Sequence, residues 1–343
     1  MRKAVKLLGT LAAIVIFVGG LYFARSRFGS ELQDVTNTIF TFSAAGDYAA
    51  NLETDRVLEA IKVKNPDFHI ALGDFSYNTL KPESKWCEYV RGHIGQSIPF
   101  ELISGNHESN GKDGLITNFV KCLPSKIENL TGTYGKEYYF DYPREKPLAR
   151  IILISPNLDF VDQAAYNYTA RTPQLDWLLN AITSARSQNI PWVIVGMHKD
   201  CISPSRRTCE ITPQVMNVLI NNKVDVILQA HSHIYARSKP LLCVSADTRG
   251  VIFEQACTTE NNLHNIYNKG EGSLLLISGT GGQTLTDITP TSEAVNYFEK
   301  YAGKNYNPTF GFVYFKVNEQ EIRGEFVSVN NALTDSFVVK TSR

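Results

Sequence analysis

Five short apolar runs in this chain each end at a polar residue of a type that binds metal ions. Ile39–Ala45 runs into Gly46 and Asp47, Phe68–Leu72 into Gly73 and Asp74, and Pro99–Ile103 into Gly105, Asn106 and His107. Trp192–Gly196 runs into Met197 and His198, and Val224–Gln229 into Ala230 and His231, with His233 two residues on. Each run has the length and composition of a strand buried on both faces. Ligands of open α/β sheets bind beyond the carboxyl ends of the strands. The five junctions therefore predict one site.

Helical patterns fill the gaps. Thr54–Lys64, Asp113–Lys121, Pro173–Ser187 and Thr212–Asn221 each carry apolar residues on one face. Pro173 stands at a favoured first-turn position, and Thr212 precedes Pro213 as a cap. Alternating strands and helices imply an α/β fold with central sheets. The last third changes character: Val251–Ala256, Ser273–Ile277, Phe310–Val317, Glu321–Val329 and Ser336–Lys340 read as strands with few helices between them. The expected architecture is an α/β sandwich of two central mixed β-sheets flanked by helices, with a dinuclear metal site at the strand C-terminal ends.

Of seven histidines, His107, His198, His231 and His233 fall at the junctions, while His69, His93 and His264 do not. A single histidine at a strand end is usually structural. Four of them beside Asp and Asn at matching positions are not explained that way. A two-metal site needs several hard or borderline ligands and one group that bridges ions ~3.5–4 Å apart. A carboxylate can bridge, and imidazole and carboxamide bind end-on.

These residues carry a family resemblance. Gly46-Asp47, Gly73-Asp74-Phe75-Ser76-Tyr77, Gly105-Asn106-His107-Glu108, Val195-Gly196-Met197-His198 and Ala230-His231-Ser232-His233 resemble the five blocks of the calcineurin-like metallophosphoesterases. The resemblance spans about Ile39–Tyr235. Many members have Asp-x-His in the first block, whereas here Asp47 is followed by Tyr48 and Ala49. The second block instead ends at Tyr77, which resembles the purple acid phosphatase branch, where that tyrosine binds a ferric ion. The resemblance implies two metal ions. Fe(III) would be held by Asp47, Asp74, Tyr77 and His233. Zn, Mn or Fe(II) would be held by Asp74, Asn106, His198 and His231, with Asp74 bridging. It implies hydrolysis of phosphate monoesters by a metal-bound hydroxide, as an acid phosphatase. His107, a non-ligand, would protonate the leaving alcohol or bind phosphate, and an imidazolium does either at acidic pH. Two departures stand out. Ala230 replaces the usual Gly, which matters only if the position needs a positive φ. Tyr235-Ala236-Arg237 lacks the glutamate of the branch's Tyr-Glu-Arg.

Between His198 and the next helix, Cys201 and Cys209 bracket Arg206 and Arg207. A disulfide there would pin a basic loop beside the metals and offer an arginine to the substrate phosphate. The stretch Ser278-Gly279-Thr280-Gly281-Gly282-Gln283 follows a strand and opens no helix. It reads as a tight turn at the sheet end rather than a nucleotide-binding loop.

The N-terminus is of another kind. Met1–Lys6 is basic, and the uncharged, mostly apolar run Leu7–Phe23 is 17 residues long. That length falls between signal-peptide cores and membrane-spanning helices. The expected organisation is an N-terminal membrane anchor or signal segment at 1–29, a linker at 30–37 and a metallophosphoesterase domain at 38–343. Six cysteines, Cys87, Cys122, Cys201, Cys209, Cys243 and Cys257, all follow the apolar run. In an exported protein they would form three disulfides, and sequential pairing is the expected pattern, with free buried thiols the alternative. The chain is formally neutral with 34 basic and 34 acidic residues, and five of the basic ones lie within residues 1–30. The remainder thus carries 29 against 34, with no electrostatic footprint for nucleic acid. The expectation is an extracytoplasmic enzyme, anchored or secreted, acting on a small phosphorylated substrate. The alternatives are a phosphodiesterase, nucleotidase or pyrophosphatase on the same metals, or a metal-binding surface protein without catalysis.

Overall fold

The structure, a computed structural model, describes residues 39–341 except 249 and 260–264. The first two-thirds alternate strands and helices. They run β1 (Phe40–Ala45), α1 (Leu52–Lys64), β2 (Phe68–Ala71), α2 (Glu83–Ile94), β3 (Phe100–Leu102), α3 (Asn106–Ser109) and α4 (Ile116–Cys122). Then come β4 (Thr131–Thr133), β5 (Glu137–Tyr142), β6 (Ala149–Leu153), α5 (Pro173–Ser187), β7 (Trp192–Gly196), α6 (Pro213–Asn221) and β8 (Val226–Gln229). The rest is mainly strands: β9 (Tyr235–Ser238), β10 (Ser245–Asp247), β11 (Gly250–Ile252), β12 (Ile266–Asn268) and β13 (Leu274–Ser278). The last four are β14 (Phe298–Ala302), β15 (Gly311–Val317), β16 (Glu321–Ser328) and β17 (Asp335–Lys340).

Two mixed sheets form the sandwich, one of seven strands in the order β12-β17-β16-β15-β1-β2-β3 and one of eight in the order β14-β9-β13-β8-β7-β6-β5-β4. Strands β1, β2 and β3 are parallel, as are β6, β7, β8 and β13, so their carboxyl ends gather at one edge. Alternate residues of each strand meet between the sheets. Phe40, Phe42 and Phe68 pack there with Phe140, Ile151, Ile194 and Phe315, and the Phe42 and Phe315 rings stack with centroids 4.4 Å apart. The intervening residues of the same strands, such as Ile152, Val193 and Val195, pack under the helices. Burial on both faces is why these strands read as continuous apolar runs.

Several details depart from the sequence expectations. The helix expected from Asp113 begins at Ile116, because Gly114 has a φ of +117° and Asp113 sends its carboxylate to His107. The expected strand Val251–Ala256 is only the short hairpin strand β11 followed by a single 3₁₀ turn, Gln255–Cys257. Helix α2 and the hairpin β5–β6 are not among the expected elements. All three sequential disulfides are present: Cys87–Cys122, Cys201–Cys209 and Cys243–Cys257. The apolar run Leu7–Phe23 lies outside the described residues. Among the described residues no helix is long and apolar enough to cross a membrane.

Arg237 is wholly buried in β9 and ties the sheets together. It grips both oxygens of Asp335 on β17, at 2.7 and 2.8 Å, and Glu299 on β14 at 2.7 Å. Tyr235 donates to the same Asp335 at 2.7 Å. Both residues therefore act in the frame, away from the strand-end cluster.

Candidate metal centre

The loops leaving β1, β2, β3, β7 and β8 deliver all seven expected ligand side chains to one place. Four of these residues stand in the left-handed backbone region: Asp47 (φ 61°), Asp74 (55°), Tyr77 (45°) and His231 (65°). Side-chain-bearing residues avoid this region, and such strain concentrates at functional sites. The left-handed position in the last block is His231 and not Ala230, so the Gly-to-Ala departure has no backbone consequence. Close approach elsewhere requires glycine: a Cβ on Gly105 would lie 2.1 Å from Asp74 Oδ1, and one on Gly279 2.7 Å from Asp47 Oδ2. The Gly-rich turn thus borders the cluster. Its next residue, Thr284, accepts a hydrogen bond from His233 Nδ1 at 2.8 Å.

Tyr77 sits at the junction of the two halves. Its hydroxyl oxygen lies 2.9 Å from Asp47 Oδ1, 3.0 Å from Asp74 Oδ2 and 3.1 Å from His233 Nε2. On the other side of Asp74, His198 Nε2 lies 3.2 Å from Asp74 Oδ2, 3.2 Å from Asn106 Oδ1 and 3.0 Å from His231 Nδ1. Asp74 Oδ2 is the oxygen common to both groups. Atoms of Asp74, His198 and His231 converge within 4.8 Å of one another.

The donor set fits cations better than it fits itself. His198 Nδ1 donates to the Leu72 carbonyl at 2.7 Å and His233 Nδ1 to Thr284, which leaves each Nε2 with a lone pair facing inward. His198 Nε2 then faces a carboxylate, an amide oxygen and another imidazole. The single Tyr77 proton is offered three acceptors. Acceptors facing acceptors in a buried site need protons or cations between them. The titration shifts have the same origin. Burial works to lower His198, but the charge and hydrogen bond of Asp74, with Asp47 and Glu108, raise it to about 9. Burial works to raise Asp47 and Asp74, and the neighbouring histidines outweigh it, so both carboxyls lie below the usual range. Burial, then Asp47 and Asp74, push Tyr77 well above an ordinary phenol. Two bound ions would take over the role of these protons.

His107, the second residue of α3, lies beside the cluster without joining it. Its backbone N–H donates to Asp74 Oδ1 at 3.0 Å, its Nε2 lies 3.6 Å from Asp74 Oδ2, and its ring lies against Tyr77 with centroids 4.3 Å apart. Its Nδ1 bonds the Asp113 carboxylate. Arg207 reaches the outer face of His231, with Nη1 2.6 Å from Nε2, and Glu210 Oε1 lies 3.0 Å from the same nitrogen. Arg206 is exposed and makes no contact with the cluster.

Three functional positions had no role assigned by sequence reasoning. Glu108, fully buried under the Asp74 loop, accepts the Asp74 N–H at 2.9 Å and also the N–H of Gly105. Burial, then Asp74, raise its carboxyl to about 8. Asp113 anchors His107, and Glu210 anchors His231. Glu108 stands inside the third block, which was its available signal. The other two come from loops whose partner is visible only in space.

Residues 46–235 match the calcineurin-like phosphoesterase family. Among curated proteins the chain is similar to purple acid phosphatase 21 of Arabidopsis thaliana, at 24% identity over 226 residues, covering 62% of this chain and 48% of the relative. It spans about half the length of the curated relatives it matches. Among solved structures it resembles the purple acid phosphatase PPD1 of yellow lupin, with a TM-score of 0.67 and 17% identity, covering 89% of this chain and 54% of that one. It also resembles GAP50, described as the anchor in the inner membrane complex of Plasmodium, with a TM-score of 0.57 and 13% identity, covering 90% of both chains.

Proposed function

The chain belongs to the calcineurin-like phosphoesterase family, and from that premise we propose that it is a dinuclear-metal phosphomonoesterase of the purple acid phosphatase type. The observation that carries this reading is Tyr77, whose hydroxyl meets Asp47, Asp74 and His233 together where many family members place a histidine. In this reading Asp47, Asp74, Tyr77 and His233 hold a ferric ion. Asp74, Asn106, His198 and His231 hold Zn, Mn or Fe(II). When bound, the pair supplies the positive charge that activates water as the nucleophile and offsets charge on the phosphoryl oxygens.

The chain's own side chains supply the rest. Glu108 and the Gly105 turn hold the Asp74 loop in its left-handed conformation, which keeps the shared carboxylate oxygen at the centre. His107, oriented through Nδ1 by Asp113, keeps Nε2 on the cluster side and donates a proton to the departing alcohol from there. A proton on His231 Nε2 is accepted by Glu210, which leaves Nδ1 free as the ligand atom. Arg207 then has no acceptor on that ring and keeps Glu210 Oε1 at 3.1 Å, so its guanidinium would reach the substrate phosphate with the N–H groups that Glu210 does not use. Arg206 turns to the neighbouring surface. Three disulfides support an oxidising compartment outside the cytoplasm, reached as a secreted or N-terminally anchored protein.

A second reading, a binding protein without turnover, has the likeness to the Plasmodium anchor in its favour. The complete ligand set and the positioned His107 favour the enzyme. Comparing rates on para-nitrophenyl phosphate and its bis-ester, with metals restored, tests both points. Faster cleavage of the monoester supports the proposal, faster cleavage of the bis-ester makes the protein a phosphodiesterase, and no turnover from acidic to mildly basic pH favours the binding protein.

A further inference from the structure

A second cavity of about 280 Å³ adjoins the metal centre. Arg206, Arg207, Thr286, Asp287 and Lys304 line it. It is tied to the centre at two points. The Thr286 N–H donates to the His233 carbonyl at 3.1 Å, and Arg207 Nη1 lies 2.6 Å from His231 Nε2. The Lys304 N–H in turn donates to the Thr286 carbonyl at 2.8 Å, so the lysine's position is set by the same wall. Arg207 is matched by Glu210 at 3.1 Å. The side chains of Arg206 and Lys304 are exposed, and no carboxylate among the described residues lies within ion-pair distance of either. Asp287 is the one opposing charge in the lining.

We propose that this cavity binds a second phosphate group of the substrate, so that the preferred substrates are organic phosphates carrying two phosphates. One phosphate would lie at the metal centre and the other between Arg206 and Lys304. The guanidinium's planar fork and the lysine's point charge are both suited to phosphate oxygens. The cavity is open to solvent and has room for a phosphate group. A neutral alcohol would leave both cations without a partner, whereas a second phosphate would offset them. The inference rests on the phosphomonoesterase reading and deepens it to a substrate class.

The test measures kcat/KM on a hexose bisphosphate and on the matching hexose monophosphate, with para-nitrophenyl phosphate reporting the metal centre alone. Lys304→Ala lowers the bisphosphate-to-monophosphate ratio about fivefold, the size of one partly exposed charge interaction. Asp287→Asn raises the ratio, because it removes the opposing charge. Both leave the rate on para-nitrophenyl phosphate unchanged, and raising the ionic strength shrinks the wild-type ratio. Opposite signs from two exposed positions cannot come from misfolding. A ratio that stays put in both variants, or moves the same way in both, overturns the subsite while leaving the enzyme reading intact. If wild type hydrolyses none of the three compounds, the enzyme reading falls and takes the subsite with it.

Discussion

Replacing Glu210 by Ala should weaken one metal site and spare the other. Glu210 Oε1 is 3.0 Å from His231 Nε2, and the glutamate side chain is 31% exposed against 5% for the histidine. The hydrogen bond to His231 is the first cause of the glutamate's low pKa, about 2 against an ordinary 4.5. A charge-assisted hydrogen bond contributes roughly 1.5–3 kcal/mol. Solvent reaches this one, so the lower end applies, and about 1.5 kcal/mol corresponds to roughly tenfold in a dissociation constant. Removing the carboxylate frees His231 to place its proton on Nδ1, the atom that faces His198. The second metal's affinity should therefore fall about tenfold, which is within the range expected for loss of a partner that orients a ligand histidine. Titrating metal-free protein with zinc against a chromophoric chelator measures both steps. Glu210→Gln keeps an acceptor at the position and should recover part of the loss. Equal weakening of both steps, or none, would refute the reasoning.

Asp113→Asn removes the charge that orients His107, and kcat should fall roughly tenfold with KM little changed, read from steady-state kinetics on para-nitrophenyl phosphate. His69 titrates at about 3 in the folded protein against an ordinary 6.5, because burial disfavours its charged form. The unfolded chain therefore binds the extra proton first as pH falls, and stability drops below pH 6.5 by about 1.4 kcal/mol per unit until the folded value is reached. Denaturant melts at several pH values should show that slope, and His69→Gln should flatten it. Arg237→Met leaves the wholly buried Asp335 carboxylate without its cation, and unfolding free energy should fall by about 3–5 kcal/mol. The specific activity of the protein that remains folded should be retained, because Arg237 does not touch the cluster.

The convergence of side chains was legible because Asp47, Asp74, Asn106, His198 and His231 each lie within a few residues of the end of a buried strand, whereas Tyr77, six residues past β2, was marked by the family resemblance. The parallel order of β1, β2 and β3, and of β6, β7 and β8, turns those sequence positions into one edge. Helix α2 escaped because its capping position is Pro82, which offers no side-chain cap, although Trp86, Val90 and Ile94 stand on one face at i, i+4 and i+8. Asp113 read as an acid at a helix start, since Asp favours that position, whereas its carboxylate belongs to His107. Glu210 lies 21 residues before its partner His231 and joins it only through the loop pinned by Cys201–Cys209. Lys304 and Thr286 reach the cavity from a segment with no motif at all. The residues expected to hold metals advertised themselves by type, and the residues that brace them did not.

The assignment of a ferric site rests on Tyr77. Metal analysis with a visible absorption spectrum, on the purified protein and on Tyr77→Phe, tests it most directly. The expected result is two ions per chain, one of them iron, and a phenolate-to-ferric charge-transfer band that Tyr77→Phe abolishes. A colourless, active protein holding only divalent ions, or a band that survives Tyr77→Phe, would contradict it.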